Sequence, residues 1–253
     1  MRDTVAKGPG RRPERGIEGM TLAARDERLV ELMDDPACDP DRLRATLRRF
    51  GTINRLVSGW GAVYRRILGP QLAALGRPAR VLDIGSGGGD LVLRLAAAAR
   101  RDGLDVEWTG IDPDPRSHEV ALERSGVDGV TFRCADAATL VGEGTTYDAV
   151  LSNHVLHHLG DALPGFAAES LDLSHGMVLH SDIERSRLAY GLYAVGITPF
   201  APGTFLRTDG LRSIRRSYTA AELAAVLDDA MPGAWTVQTA APFRVLAMGH
   251  GRG

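Results

Sequence analysis

Apolar positions follow two textures along the chain. Through the first quarter they recur at helical spacing. Leu22 to Met33 predicts a first helix, stopped by Asp34-Asp35-Pro36. Asp39-Pro40 predicts an N-cap with proline at the first helical position, opening a helix that carries Leu43, Leu47 and Phe50 on one face. Ile53 to Leu68 keeps that spacing with Leu56, Val57, Trp60, Val63, Tyr64 and Ile67, and Gly69-Pro70 is expected to end or bend it. From Ala79 short apolar runs alternate with helix-like stretches. The runs are Val81 to Ile84, Val106 to Ile111, Val130 to Phe132, Tyr147 to Leu151 and Met177 to Leu179. Such alternation predicts a parallel sheet covered on both faces. The helix after the first run has Asp90 in its first turn, a Leu91, Val92, Leu95 stripe and Arg100-Arg101 in its last turn, as the helix dipole favours.

Residues 183–217 break the rhythm with a short helix, Arg187 to Val195, and a loop holding Pro199, Pro202, Gly203 and Gly210. Thr219-Ala220-Ala221-Glu222 is a capping box opening another helix. Trp235 to Thr239 and Phe243 to Met248 lie close enough for an antiparallel hairpin. The expected organisation is a flexible leader over 1–19, an N-terminal helical lid over 20–78, and an α/β domain over 79–253 with an insertion at 183–217.

The chain has 253 residues, 44% hydrophobic and 25% charged, enough to bury a sizeable core. Its formal charge of -2 excludes a strong net field toward nucleic acid or an anionic membrane. No apolar run reaches the ~18 residues of a membrane-spanning helix, and residues 1–19 hold no signal core. Cys38 and Cys134 lie far apart without metal-ligand spacing, so the expectation is a reduced, cytoplasmic protein.

Asp83-Ile84-Gly85-Ser86-Gly87-Gly88-Gly89 sits between a strand and a helix, where glycines let the backbone approach a ligand and a helix start offers free N–H groups. The dinucleotide pattern G-x-G-x-x-G fails in both registers, at Asp90 and at Val92, which argues against a nicotinamide oxidoreductase. A ligand with both an ammonium and a carboxylate fits Asp83 and this loop better. Asp112-Pro113 ends the second strand, where an acid accepts from ribose hydroxyls. Asp136-Ala137 follows the third, placed to meet an adenine amino group and ring. Ser86 and Ser152 have no G-x-S-x-G context, so a hydrolase is disfavoured.

This ordered set resembles the class I S-adenosylmethionine-dependent methyltransferases. D-x-G-x-G-x-G at 83–89, Asp112, Asp136-Ala137 and Tyr147 to Asn153 carry the resemblance, over about Ala79 to Asp182. It implies strand order 3-2-1-4-5-7-6 with helices on both faces and S-adenosylmethionine as cofactor. Asp83, Gly85, Ser86, Gly87, Asp112, Pro113, Asp136, Ala137 and Asn153 would hold that cofactor. Phe50 to Trp60 is similar to the lid of the ubiquinone/menaquinone-biosynthesis methyltransferases and their secondary-metabolite relatives, which would place Trp60 and Tyr64 beside the acceptor. The insertion departs from that group, so quinone-precursor specificity is not carried over.

His154, His157 and His158 follow the fourth strand at i, i+3, i+4 and share a helical face. One of them, with His154 and His157 preferred, is the candidate base for a hydroxyl acceptor; the alternative is a packing or capping role. Zinc fits the spacing but lacks a nearby cysteine or carboxylate to complete four ligands, so no metal is expected. Asp182, ending the fifth strand, is a candidate to orient or deprotonate the acceptor, or simply a cap. Arg185, Tyr190, Tyr193 and Arg216 are candidates for a substrate wall, set against the reading of Arg212 to Arg216 as a solvated basic face. The expected reaction is O-methylation of a small aromatic or polyketide-like metabolite by a monomer or homodimer. C-methylation of a quinone-precursor-like ring, or cofactor binding without methylation, are the alternatives. No nucleic-acid or membrane partner is expected.

Overall fold

Valine, leucine and isoleucine crowd the runs that begin at Ala79, and the structure, a computed structural model, buries them on both faces of one sheet. It describes residues 22–253; the leader expected over 1–19 lies outside the described residues. The strands are β1 (Ala79–Ile84), β2 (Val106–Asp112), β3 (Val130–Cys134), β4 (Tyr147–Asn153), β5 (Ser174–Ile183), β6 (Trp235–Ala240) and β7 (Arg244–His250). Their order is β3-β2-β1-β4-β5-β7-β6, as expected. The first five run parallel, and β7 lies antiparallel between β5 and β6.

Side chains alternate across the sheet, so neighbours in one strand serve opposite cores. Val81, Leu151 and Leu179 pack with Trp60, Tyr64, Leu91 and Leu95. Leu82, Val150 and Val178 face the other way, toward Leu140, Leu163, Phe166, Leu223 and Leu227. The first layer is built by α1 (Pro40–Val57), α2 (Trp60–Val63), α3 (Gly69–Ala74), α4 (Asp90–Arg101) and α5 (Pro115–Leu122). The second holds α6 (Ala137–Gly142), α7 (Leu156–Leu159), α8 (Leu163–Asp172) and, after the insertion, a helix at Ala220–Ala230. The insertion itself folds as α9 (Arg187–Gly196) and α10 (Leu206–Arg216), which makes the Ala220–Ala230 helix α11.

Local signals explain most boundaries. The Asp39 carboxylate accepts from the Asp41 and Arg42 N–H groups and starts α1 with Pro40. Both halves of the Thr219–Glu222 capping box form at α11. Three expectations need correction. The helix expected over Leu22 to Met33 is an irregular strap, because its donors go elsewhere: Leu32 and Met33 N–H reach the Asp209 carboxylate at 2.8 and 3.0 Å, and Asp26 N–H reaches the Arg215 carbonyl. The N-terminal segment expected to form a lid is therefore helical only from Pro40 among the described residues. At Gly69-Pro70, expected to end or bend the helix, the helix does not end; a π turn at Tyr64–Leu68, closed by Gly69 N–H on the Tyr64 carbonyl, leads directly into α3 with Pro70 in its first turn. Gly210 lies inside α10 and not in a loop, with the Tyr193 ring filling the space a β-carbon would take.

Candidate active site

The strand tips of β1, β2, β4 and β5 open into one cavity of about 850 Å³. Its first half is the glycine bend. Gly85 has φ +71°, and a β-carbon there would sit 2.5 Å from Val155 Cγ2. Gly87 N–H donates to Asp112 Oδ2 and Asp114 N–H to Asp112 Oδ1, both at 2.9 Å, which fixes the carboxylate at the cavity edge. Asp83 is 2% exposed and its Oδ1 has no hydrogen-bond partner. Burial, then the nearby Asp90 and Asp112 carboxylates, raise Asp83 well above the usual carboxylate range. Asp90 and Asp112 are raised by burial too, against Asn54 and Arg94 at the first and backbone N–H groups at the second. An orphaned buried oxygen among three acids fits a cationic ligand bearing an ammonium, as S-adenosylmethionine does. Asp83 would take that ammonium and Asp112 the ribose hydroxyls.

Ser86, Pro113 and Asn153 also line the cavity. The Asn153 Oδ1 is already committed, accepting from Trp60 Nε1 at 3.1 Å and Arg244 Nη2 at 2.7 Å. Asp136 and Ala137 are not among the lining residues. The Asp136 carboxylate caps α6 through Thr139 N–H and Oγ1, and Ala137 packs into the core beside Leu140.

The second half gathers the histidines. His154, in a left-handed conformation at φ 64°, places Nε2 2.9 Å from Arg244 Nη1 and Nδ1 3.6 Å from Asp182. Burial and the Arg244 guanidinium hold it well below the usual histidine range, so it is neutral. His157 is 1% exposed, with Nδ1 2.9 Å from the Asp182 carboxylate and Nε2 3.1 Å from Glu31 Oε1. Burial opposes its charge, but the two carboxylates win and push it up to about 9. His157 is therefore an imidazolium with both N–H groups donated, not a free base. Asp182, held well below the carboxylate range by that ring despite burial, does not line the cavity; its carboxylate is spent on the His157 ring and N–H and orients that side chain. Burial pushes Arg244 down to about 10, against Asp182, which leaves it charged.

The strap completes this half. Glu31 is 4% exposed and accepts from Ser213 Oγ at 2.7 Å as well as from His157. Asp34 lies 3.2 Å from His158 Nδ1 and 3.5 Å from Arg216 Nη1. Among the described residues, Glu31–His157–His158 and His154–His157–Asp182 have the donor types of a metal site. His157 already spends both nitrogens on carboxylates, and Arg216 and Arg244 supply cations beside them, so neither group needs an ion for charge balance.

Of the expected substrate wall, Arg216 and Tyr193 line the cavity and four residues do not. Trp60 is fully buried against the sheet, and Tyr64 donates its hydroxyl to Asp102 in the same core. Arg185 spends its guanidinium on the Leu22 and Ser217 carbonyls and the Glu222 carboxylate. Tyr190 lies off the lining face of α9, which presents Ala189, Leu192, Tyr193 and Gly196 at helical spacing. Arg212 and Arg215 are no solvated face either; they bind the strap at the Val30 carbonyl and Asp26. Sequence reasoning missed Glu31, Asp209 and Arg244. Arg244 had a signal, a lone arginine inside the apolar run Phe243 to Met248.

Residues 81–175 match the family model described as a methyltransferase domain. The chain is 31% identical over 172 residues to a ubiquinone biosynthesis O-methyltransferase of Methylocella silvestris, covering 62% of this chain and 64% of that protein. It is 34% identical over 124 residues to the mitochondrial ubiquinone biosynthesis O-methyltransferase of Arabidopsis thaliana, covering 46% and 36%. It thus spans less than two thirds of these curated relatives. The fold is shared with the plantazolicin methyltransferase BpumL solved with SAH (TM-score 0.55, 14% identity, 83% of this chain and 96% of that one). It is shared too with the CurJ carbon methyltransferase (TM-score 0.60, 15% identity, 85% and 62%).

Proposed function

We propose that this chain, which resembles the class I S-adenosylmethionine-dependent methyltransferases in its motifs and in its fold, methylates a hydroxyl on a small aromatic or polyketide-like metabolite. One observation carries the reading: a single cavity joins the Asp83 carboxyl, with its unpartnered Oδ1, to a chamber walled by Phe50, Ile53, Ile197 and Phe200. When bound, the cofactor supplies a methyl group already made electrophilic by its sulfonium. The chain's residues do the rest by alignment and by excluding water. Apolar walls from α1, α9 and the turn after it suit a planar ring, and the polar floor suits an oxygen nucleophile. The names of the sequence relatives, O-methyltransferases, favour oxygen over carbon as well.

Calorimetry with S-adenosylmethionine and with S-adenosylhomocysteine tests the cofactor half. Mass spectrometry of purified protein with the cofactor and a panel of phenols tests the reaction, and a carbon-13-labelled methyl group read by NMR separates O-methyl from C-methyl products. Binding without S-adenosylhomocysteine formation against any phenol would refute the acceptor assignment, and no binding would refute the reading altogether.

A further inference from the structure

The methyltransferase reading leaves a proton to place, and neither expected histidine can take it. His157 donates from both nitrogens, and the lone pair of His154 Nε2 faces the Arg244 guanidinium, which only donates. The acids in the cavity wall are mostly committed too. Asp83, Asp90 and Asp112 belong to the cofactor half. Asp209 spends both oxygens on the Leu32 and Met33 N–H groups, and Asp34, bridged to His158 and Arg216 through Oδ2, has a side chain 36% exposed, so water solvates its other oxygen, whereas the Glu31 side chain is 4% exposed. Glu31 differs. The His157, Ser213, His158 and Arg216 contacts all converge on Oε1 of a side chain that lines the cavity, which leaves Oε2 for a ligand.

We infer that Glu31 accepts the hydrogen bond, and finally the proton, of a neutral hydroxyl on the acceptor, an inference that rests on the methyltransferase reading. In that step the acceptor oxygen bonds to the methyl carbon and the carbon–sulfur bond breaks with its electron pair left on sulfur. The hydroxyl proton passes to Glu31. The oxygen becomes strongly acidic as its new bond forms, so a carboxylate kept ionised by His157 is base enough. Charge also selects the acceptor. An ionised Glu31 in contact with the acceptor oxygen disfavours one that arrives as an anion, the remaining acids Asp34, Asp182 and Asp209 being offset by His157, Arg216, Arg244, Arg212 and Arg25.

The test uses 4-nitrophenol, whose absorbance reports its own ionisation, bound to the full chain saturated with S-adenosylhomocysteine. In the wild-type protein the bound phenol should titrate at least about one pH unit above the free compound, because Glu31 stabilises the neutral form and repels the anion. In Glu31→Gln that upward displacement should vanish, and turnover of any phenol found to be a substrate should fall about 100-fold. A bound phenol that titrates at or below its free value in the wild type overturns the assignment, whether or not the variant folds. Equal titrations in the two proteins, or no spectral change in the wild type, overturn it too. Calorimetry with S-adenosylhomocysteine on the same preparation separates the two levels: binding with an unshifted phenol removes only the role of Glu31, whereas absent binding removes the reading beneath it.

Discussion

The imidazolium of His157, sealed between Glu31 and Asp182, makes stability depend on pH in a direction that can be worked out. Its ordinary value is 6.5 and the folded value about 9, so the folded state holds a proton that the unfolded state gives up first. The contribution is fully present below pH 6.5 and is lost as pH rises through about 9. The displacement corresponds to about 3 kcal/mol. Glu31 and Asp182 stay ionised across this window because both lie below the carboxylate range, and the facing His154 is already neutral. His158, the remaining ring packed on His157, is present in both proteins of the comparison. Urea unfolding of the wild type and of His157→Gln from pH 6 to 9.5 measures the effect. At pH 6 the variant should be less stable by about 3–5 kcal/mol, since two buried carboxylates lose their cation. Near pH 9.5 most of that gap should have closed. A difference that stays constant over the whole range would refute the reasoning, because it would mean that packing of the ring, not its charge, is what the variant removes.

Other expectations concern the cofactor half. Asp112→Ala should weaken S-adenosylmethionine binding by about 1–3 kcal/mol, measured by calorimetry, through lost charge-assisted hydrogen bonds. Asp136→Asn, which keeps a capping side chain on α6, should leave that affinity unchanged; a clear loss would return Asp136 to the adenine role read from the sequence. Binding should release protons and tighten as pH rises, because the ammonium ionises an Asp83 carboxyl that burial holds protonated. Calorimetry in two buffers of different ionisation enthalpy detects this, and zero net release would count against the Asp83 assignment. Gly85→Ala should cost at least about 2 kcal/mol in thermal or urea unfolding, from left-handed strain together with the clash against Val155.

The glycine bend and the acid at the tip of β2 were legible as parts of the cavity wall because each is local. A glycine bend and an acid at a strand tip are written within a few residues, and apolar alternation sets the strands that align them. The acceptor half was not, because its contacts join distant stretches: Glu31 and His157 are 126 residues apart, and Asp209 meets Leu32 and Met33 across 177 and 176 residues. Leu29, Val30, Leu32 and Met33 look like a helical stripe until Asp209 takes the amide hydrogens a helix would use. Trp60 and Tyr64 show the opposite failure. Aromatic residues at helical spacing serve a lid or a core equally well, and here the sheet takes them. Arg185 was misplaced for a related reason, since a guanidinium near a pocket can be spent entirely on backbone carbonyls and a neighbouring carboxylate.

That division has a consequence for descent. The residues proposed to grip the cofactor lie close together between 83 and 113, whereas the acceptor floor is stitched from the strap, the histidines after β4, α10 and β7. Substitutions in the strap can therefore retune what is accepted while the inherited donor machinery stays intact. Lineages sharing this sheet should diverge in diet faster at residues 22–39 than at the glycine bend.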